Sequence, residues 1–99
     1  MELTKNQQLV YQALLEIPKG KVVTYGELGR HLGLHPRTVG MLLGKNPYPD
    51  RYPCCKVVGY DGALTGFSLG LADKERRLKA EGIRVIDGKV PKEYFHYFV

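Results

Sequence analysis

Apolar residues recur at helical spacing along the first half of the chain and gather in short runs in the second half. Five of them share one face of a first helix, namely Leu9, Val10, Ala13, Leu14 and Ile17. Spacings of three and four residues are typical of an amphipathic helix. Thr4 is placed to cap that helix at its start, and Pro18 and Gly20 end it.

Two further short helices are predicted next. Thr24 and Glu27 have the spacing of a capping box at the start of the second helix, and Gly33 ends it. The turn 33-GLHP-36 places Pro36 at the first position of the third helix. Two short helices joined by a glycine-containing turn of about four residues are typical of a helix-turn-helix.

The second half predicts a strand, a fourth helix and a hairpin. Residues 54–59 form an apolar run that indicates a buried extended segment. Residues 71–81 indicate a helix with Leu71 on its inner face, and Asp87 and Gly88 form the turn of a hairpin. The order of these elements predicts an α+β, mostly helical, winged-helix-like fold.

The net charge of the chain bears on the kind of partner that the protein binds. The chain of 99 residues carries 15 Lys and Arg against 10 Asp and Glu, a net charge of +5. Such an excess of positive charge favours binding to a polyanion such as nucleic acid. A basic surface without a nucleic-acid partner is the alternative interpretation. No apolar run approaches the ~20 residues of a membrane-spanning helix, and the first residues do not resemble a signal peptide. We expect a cytoplasmic protein, nucleoid-associated, or nuclear in a eukaryote.

The two cysteines of the chain, Cys54 and Cys55, are adjacent in 52-YPCCKVV-58. Neighbouring cysteines are poor disulfide partners, and no CxxC or HxxxH spacing accompanies them to suggest a metal site. A free cysteine is often simply buried. However, Pro53 places Cys54 where a polar loop meets a strand, and Arg51 would favour a thiolate there. The residues alone are therefore compatible with two interpretations of Cys54, a buried thiol and a reactive one.

The segment 44-GKNPYPDRYPCCKVV-58 resembles the active-site segment of the O6-alkylguanine-DNA alkyltransferases and the related alkyltransferase-like proteins. In that family a Gly-Asn-Pro loop leads to Pro-Cys-His-Arg-Val, whose cysteine accepts the alkyl group. The similarity extends to 70-GLADKERRLKAEG-82, and both Arg37 and Glu81 have the family's spacing from Cys54. The resemblance implies a single alkyltransferase-type DNA-binding domain over residues 1–99, without the N-terminal companion domain of full-length members.

The resemblance also implies a role for each matching residue. It implies catalytic roles for Cys54, Glu81, Asn46 and Tyr25, a substrate pocket lined by Lys74, Ser68, Phe67 and Pro49, and DNA contacts by Arg37, Thr38, Gly40 and Met41. Arg37 would replace a guanine flipped out of the duplex, since its O6 is inaccessible within the stack. Tyr25 would donate a proton or a hydrogen bond to the leaving guanine. Glu81 would anchor the hydrogen-bond relay that lies behind the thiol. The implied partner is double-stranded DNA containing O6-alkylguanine, with other repair proteins as further partners, and a monomer without metal or cofactor is expected.

The sequence departs from the family at the relay. Cys55 stands where the family has a histidine that takes the proton from the acceptor thiol, and a neutral thiol cannot do this. Phe67 and Leu69 replace a tyrosine and a glycine. Alkyltransferase-like proteins bind the lesion without transfer and carry Trp or Ala in place of the acceptor, whereas Cys54 is retained here. Three functions stay open: single-turnover alkyl transfer, a non-catalytic lesion sensor that recruits another repair pathway, and a winged-helix transcription regulator.

Overall fold

The structure is a computed structural model that describes residues 3–65 and 69–98. Its elements are α1 (Lys5–Leu14), β1 (Val23–Thr24), α2 (Tyr25–Leu32), α3 (Pro36–Gly44), β2 (Val57–Val58) and α4 (Leu71–Ala80), with 3-10 turns at Cys54–Lys56 and Lys92–Tyr94. The predicted α+β, mostly helical class is confirmed. None of the helices in the described ranges is long and apolar enough to cross a membrane.

The first helix begins at a complete capping box. Thr4 Oγ1 accepts from the backbone N–H of Gln7 at 3.2 Å, and Gln7 Oε1 accepts from the N–H of Thr4 at 2.8 Å. Leu9 was expected on the inner face, but it is 41% exposed. Tyr11 is fully buried instead, and its hydroxyl donates to the carbonyl of Leu42 at 2.6 Å. This bond joins α1 to α3.

The helix-turn-helix is formed by α2 and α3 as predicted, but its capping box differs. Thr24 Oγ1 accepts from the N–H of Glu27 at 3.0 Å, which is one of the two hydrogen bonds of a capping box. The Glu27 carboxylate instead accepts from the N–H of Phe98 at 2.7 Å and from the guanidinium group of Arg30. Gly33 ends α2 in the left-handed conformation, with φ 71°.

A two-stranded parallel sheet lies between the helix-turn-helix and the cysteine turn. Val23 pairs with Val57, and Thr24 pairs with Val58. The expectation that residues 54–59 are extended throughout was wrong. Cys54–Lys56 form a 3-10 turn, since the N–H of Lys56 donates to the carbonyl of Pro53 at 3.0 Å, and only then does β2 begin.

The predicted hairpin turn is present near the end of the chain. Ile86 and Lys89 exchange backbone hydrogen bonds of 2.8 and 3.0 Å across Asp87 and Gly88, whose φ values are 52° and 74°. Positive φ at both central residues is the geometry that Asp-Gly favours. In this part of the described chain the flanking residues form isolated bridges rather than strands.

The core forms two packed groups. The larger lies among α1, α2 and α3 and includes Leu14, Leu28, Val39 and Cys54. The smaller surrounds Leu78 of α4. The adjacent residues Val57 and Val58 belong one to each group, so the short sheet joins the two halves of the core.

Gly29 is required by the close approach of α2 to the turn after it. A Cβ atom built on Gly29 would lie 2.4 Å from the carbonyl oxygen of Leu34. We expect Gly29→Ala to lower the free energy of unfolding by about 2 kcal/mol, because backbone atoms must shift. Gly44→Ala is the matched control, since no atom lies within 4 Å of its Cβ. Urea unfolding that ranks the two variants equally would contradict this packing.

Candidate active site and nucleic-acid interface

The two cysteines are free thiols on the 3-10 turn that leads into β2. Cys54 is 7% exposed and packs in the larger core group, and Cys55 is 5% exposed. The structure therefore brings Cys54 to the predicted junction of loop and strand, but as a side chain that is nearly buried. Arg51, expected to favour a thiolate, lies with its guanidinium carbon 5.3 Å from the centre of the Tyr52 ring.

Asn46 organises the loop before the cysteine turn. It is the second residue after α3, following the C-cap Lys45, and is 7% exposed. Its Nδ2 donates to the carbonyl of Tyr52 at 2.9 Å, and its Oδ1 accepts from the N–H of Tyr48 at 2.9 Å. These bonds fasten the loop of residues 47–53 to the chain just after α3. Pro49 is half-buried within that loop.

Cys55 occupies a strongly desolvated position. Burial, followed by the charge of Cys54, raises the pKa of the Cys55 thiol from 9.0 to about 11. The charges of Arg77 and Lys74 oppose this rise, and that of Glu81 adds to it. Cys55 is therefore a neutral thiol at physiological pH, which gives it no basicity with which to replace a histidine.

Lys74 of α4 is the most deeply buried charged side chain in the site. It is 0% exposed, and its ammonium group donates to the carbonyls of Val57 at 2.7 Å and Thr65 at 2.9 Å. Burial lowers the pKa of Lys74 to about 8, whereas the charges of Cys55 and Cys54 act to raise it. Lys74 thus lies against β2, within electrostatic reach of both thiols.

Glu81, expected behind the thiol, binds two groups at the far side of the turn. Its Oε1 lies 3.0 Å from Lys56 Nζ and accepts from the N–H of Gly20 at 3.0 Å. Lys56 is 3% exposed and also donates to the carbonyls of Ile17 and Pro18. This arrangement pins the end of α4 to the link between α1 and β1.

Tyr25, the first residue of α2, reaches the segment before the predicted pocket. Thr65 Oγ1 donates to the Tyr25 hydroxyl oxygen at 2.8 Å, so the phenol's own proton can be directed elsewhere. A Cβ atom at Gly40 would meet the Tyr25 ring at 3.8 Å, an ordinary contact. Packing within the protein therefore does not require glycine at position 40. Phe67 and Ser68 lie outside the described residues.

The outer face of α3 carries the predicted DNA-binding residues. Arg37 and Met41 are exposed, whereas Thr38 and Gly40 are half-buried, and the opposite face of the helix is in the core. His35, read from the sequence as a turn residue, caps this helix because its Nδ1 accepts from the N–H of Arg37 at 3.0 Å. The sequence does not indicate this role, because histidine is an uncommon residue at the N-cap of a helix.

His31 is exposed and also packs against the end of the chain. Its ring stacks on Phe98 with centroids 4.1 Å apart. Across residues 3–65 and 69–98, no three His, Cys, Asp or Glu side chains cluster as metal ligands would.

The site therefore combines the exposed helix of a helix-turn-helix with a nearly buried thiol on the adjoining strand turn. The family model described as 6-O-methylguanine DNA methyltransferase, DNA binding domain, matches residues 5–83. The chain belongs to this family of DNA repair alkyltransferases.

Relatives agree with the assignment. The chain is 44% identical over 84 residues to the methylated-DNA–protein-cysteine methyltransferase of Methanosarcina acetivorans, covering 82% of this chain and 53% of that protein. It is 38% identical over 90 residues to a bifunctional methyltransferase/endonuclease of Picrophilus torridus, covering 89% of this chain and 30% of that protein. The chain thus spans about a third to a half of these relatives.

Solved structures give the same fold. S. pombe Atl1, in complex with damaged DNA containing O6-carboxymethylguanine, superposes with a TM-score of 0.82 at 30% identity, over 99% of this chain and 100% of that one. Mycobacterium tuberculosis OGT, in complex with DNA, gives 0.77 at 38% identity, over 82% of this chain and 51% of that one.

The raised pKa of Cys55 predicts a pH dependence of stability. A thiol with a pKa of about 11 in the fold and 9.0 when unfolded stabilises the fold fully below pH 9, and this contribution is lost as pH rises through 11. We expect the stability advantage of the wild type over Cys55→Ala to shrink by about 2 kcal/mol between pH 8 and 11. Urea unfolding across this range measures it. Parallel profiles for the two proteins would disprove the shift.

Proposed function

We propose that the protein binds O6-alkylguanine in duplex DNA and takes the alkyl group onto Cys54 in a single turnover. The observation that carries the proposal is the free thiol of Cys54, at the family's acceptor position, on the turn adjoining the helix-turn-helix. The bonds of Asn46 support it, because they hold the loop before this thiol in place.

DNA engagement would use the outer face of α3. The net charge of +5 favours approach to the phosphate backbone, and Arg37 is exposed in the first turn of this helix. The helix would enter the minor groove, with Arg37 inserted where the flipped guanine had stacked. Met41 lies one turn further along the same face.

The chemistry would be a displacement at the alkyl carbon. The sulfur of Cys54 forms a C–S bond with that carbon while its bond to O6 of guanine breaks, and the electron pair stays on the guanine. The Tyr25 hydroxyl would donate a proton to the leaving guanine, because Thr65 already donates to its oxygen. The product thioether is stable, so each molecule would act once and need no cofactor.

A non-catalytic lesion sensor is the second candidate. The likeness to S. pombe Atl1 with damaged DNA, which covers 99% of this chain and all of that one, favours it. The absence of a relay histidine at position 55 favours it too. In this case the protein would bind the alkylated base and recruit other repair proteins. A transcription regulator would need neither the retained thiol nor the bonds of Asn46.

Intact-protein mass spectrometry separates the first two candidates. After incubation with a duplex containing O6-methylguanine, we expect a gain of one methylene on Cys54, since the thiol replaces O6 at the methyl carbon. Cys54→Ala is the control and should show no gain while it still binds the duplex. Tight, lesion-selective binding by the wild type without any gain in mass would establish the sensor instead.

Arg37 is expected to confer lesion selectivity beyond its charge. Arg37→Ala should weaken binding to the O6-methylguanine duplex by about 1–3 kcal/mol, and binding to unmodified duplex by less. Arg84→Ala removes an equal charge from another exposed site and should weaken both duplexes alike. Fluorescence anisotropy at fixed salt measures the affinities of the wild type and both variants for the two duplexes. An equal loss of affinity for both duplexes in Arg37→Ala would show that Arg37 does not contact the lesion.

A further inference from the structure

The loop of residues 47–53, which precedes the cysteine turn, is tied to α4 by an ion pair at its tip. The carbonyl of Tyr48 accepts from the N–H of Arg51 at 3.0 Å, so the chain makes a turn here that includes Asp50. Asp50 Oδ1 lies 2.7 Å from Arg77 Nη1 of α4. The pair therefore joins two segments that are distant along the chain.

Arg77 is the more firmly held partner of this pair. Asp73 of the same helix holds the guanidinium group, since Asp73 Oδ2 lies 2.6 Å from Arg77 Nε. The Arg77 side chain is 20% exposed and that of Asp50 is 87% exposed, so opening the pair would move the loop rather than the helix. Exposed ion pairs contribute little when isolated, but here two carboxylates share one guanidinium group.

The same loop is continuous with the thiol at its other end. The carbonyl of Tyr52 accepts from Asn46 Nδ2 at 2.9 Å and from the N–H of Cys54 at 2.7 Å. The turn that carries Cys54 also packs against α4, the helix of Arg77. The loop is thus fastened at its base by Asn46 and at its tip by Arg77, and in this arrangement Cys54 is 7% exposed.

We propose that the Asp50–Arg77 ion pair restricts the entrance to Cys54 and thereby limits the protein to small alkyl groups such as methyl. The inference rests on the proposed function, because it concerns the lesions that the Cys54 site would accept. A loop held at both base and tip has little freedom to make room for a bulky group. A benzyl group would require the tip to move away from α4 and break the pair.

The pair is separate from the groups that take part in the proposed chemistry. Asp50 and Arg77 have no role in the displacement at the alkyl carbon or in the proton donation by Tyr25. A substitution at Asp50 therefore changes the entrance and leaves the reacting groups in place. Because Asp50 is exposed, the substitution also leaves the core of the protein unchanged.

A small and a bulky thiol reagent together test the entrance without DNA. In a Cys55→Ala background, which leaves one thiol, Cys54 is alkylated by iodoacetamide and by N-benzyl iodoacetamide. Asp50→Asn removes the charge at the loop tip and keeps the size of the side chain. We expect the ratio of the bulky to the small reagent's rate to rise about threefold, the scale expected when a partly exposed ion pair is broken. General loosening of the fold would raise both rates together and leave this ratio unchanged.

Two further variants control for charge and for the ion pair itself. Asp61→Asn is the matched control, because Asp61 forms a similar ion pair with Lys89 at 3.1 Å on another turn. It should leave the ratio unchanged. Asp50→Glu keeps a carboxylate at the loop tip and should retain the low ratio. An unchanged ratio in Asp50→Asn, or an equal rise in Asp61→Asn, would overturn the inference.

Salt provides a second measurement. Because Asp50 is exposed, about 1 M NaCl screens its charge. Raising the salt from about 0.05 M should increase the ratio of rates in the protein with Asp50 and leave it unchanged in Asp50→Asn. Equal responses of the two proteins would assign the salt effect to other charges and reject the pair.

Mass spectrometry with duplexes containing O6-methylguanine or O6-benzylguanine separates this inference from the proposed function. A ratio that depends on Asp50, with no alkyl gain from either duplex, would reject alkyl transfer and leave the control of access to Cys54 standing. Methyl gain that exceeds benzyl gain by the same factor with Asp50 and with Asn at this position would support transfer and reject the selection of alkyl groups by the pair.

Discussion

The buried ammonium group of Lys74 holds together the segments on which the rest of the site depends. It joins α4 to β2 through the carbonyl of Val57, and to the segment before the pocket through the carbonyl of Thr65. Thr65 in turn bonds Tyr25 at the start of the helix-turn-helix. Removing a lysine from water is unfavourable unless its donors are satisfied, and these two carbonyls offset that penalty. One cation thus links the thiol turn, the predicted pocket and the DNA-binding unit.

Local signals were sufficient to predict the helices and turns. Thr4 caps α1, Gly33 ends α2 and Pro36 begins α3, because caps and breakers act within a few residues of their own position. The Asp87 turn followed in the same way from its φ preference. The family resemblance located Cys54 and Asn46, and the structure brings both to the same loop.

Contacts between segments that are distant along the chain could not be predicted from the sequence. Leu71 and Leu78 were expected on the inner face of α4; Leu78 is buried, but Leu71 is 50% exposed and Lys74 is buried in addition. Periodicity assigns charged residues to the solvent face and cannot anticipate carbonyl acceptors from other segments. The same limit applies to Lys56, which pairs with Glu81 across the fold. The 3-10 turn at Cys54 was missed because a short apolar run does not distinguish it from a strand.

The parallel pairing of Val23 with Val57 and of Thr24 with Val58 sets the position of the cysteine turn relative to the helix-turn-helix. Thr24 ends β1 and also caps α2, while β2 follows the cysteine turn directly. A slip of one residue in this pairing would move β2 by about 3.3 Å and turn its side chains to the opposite face. Val57 and Val58 would then exchange the two core groups, so the placement of the thiol and the packing of both halves of the core depend on the same two residue pairs.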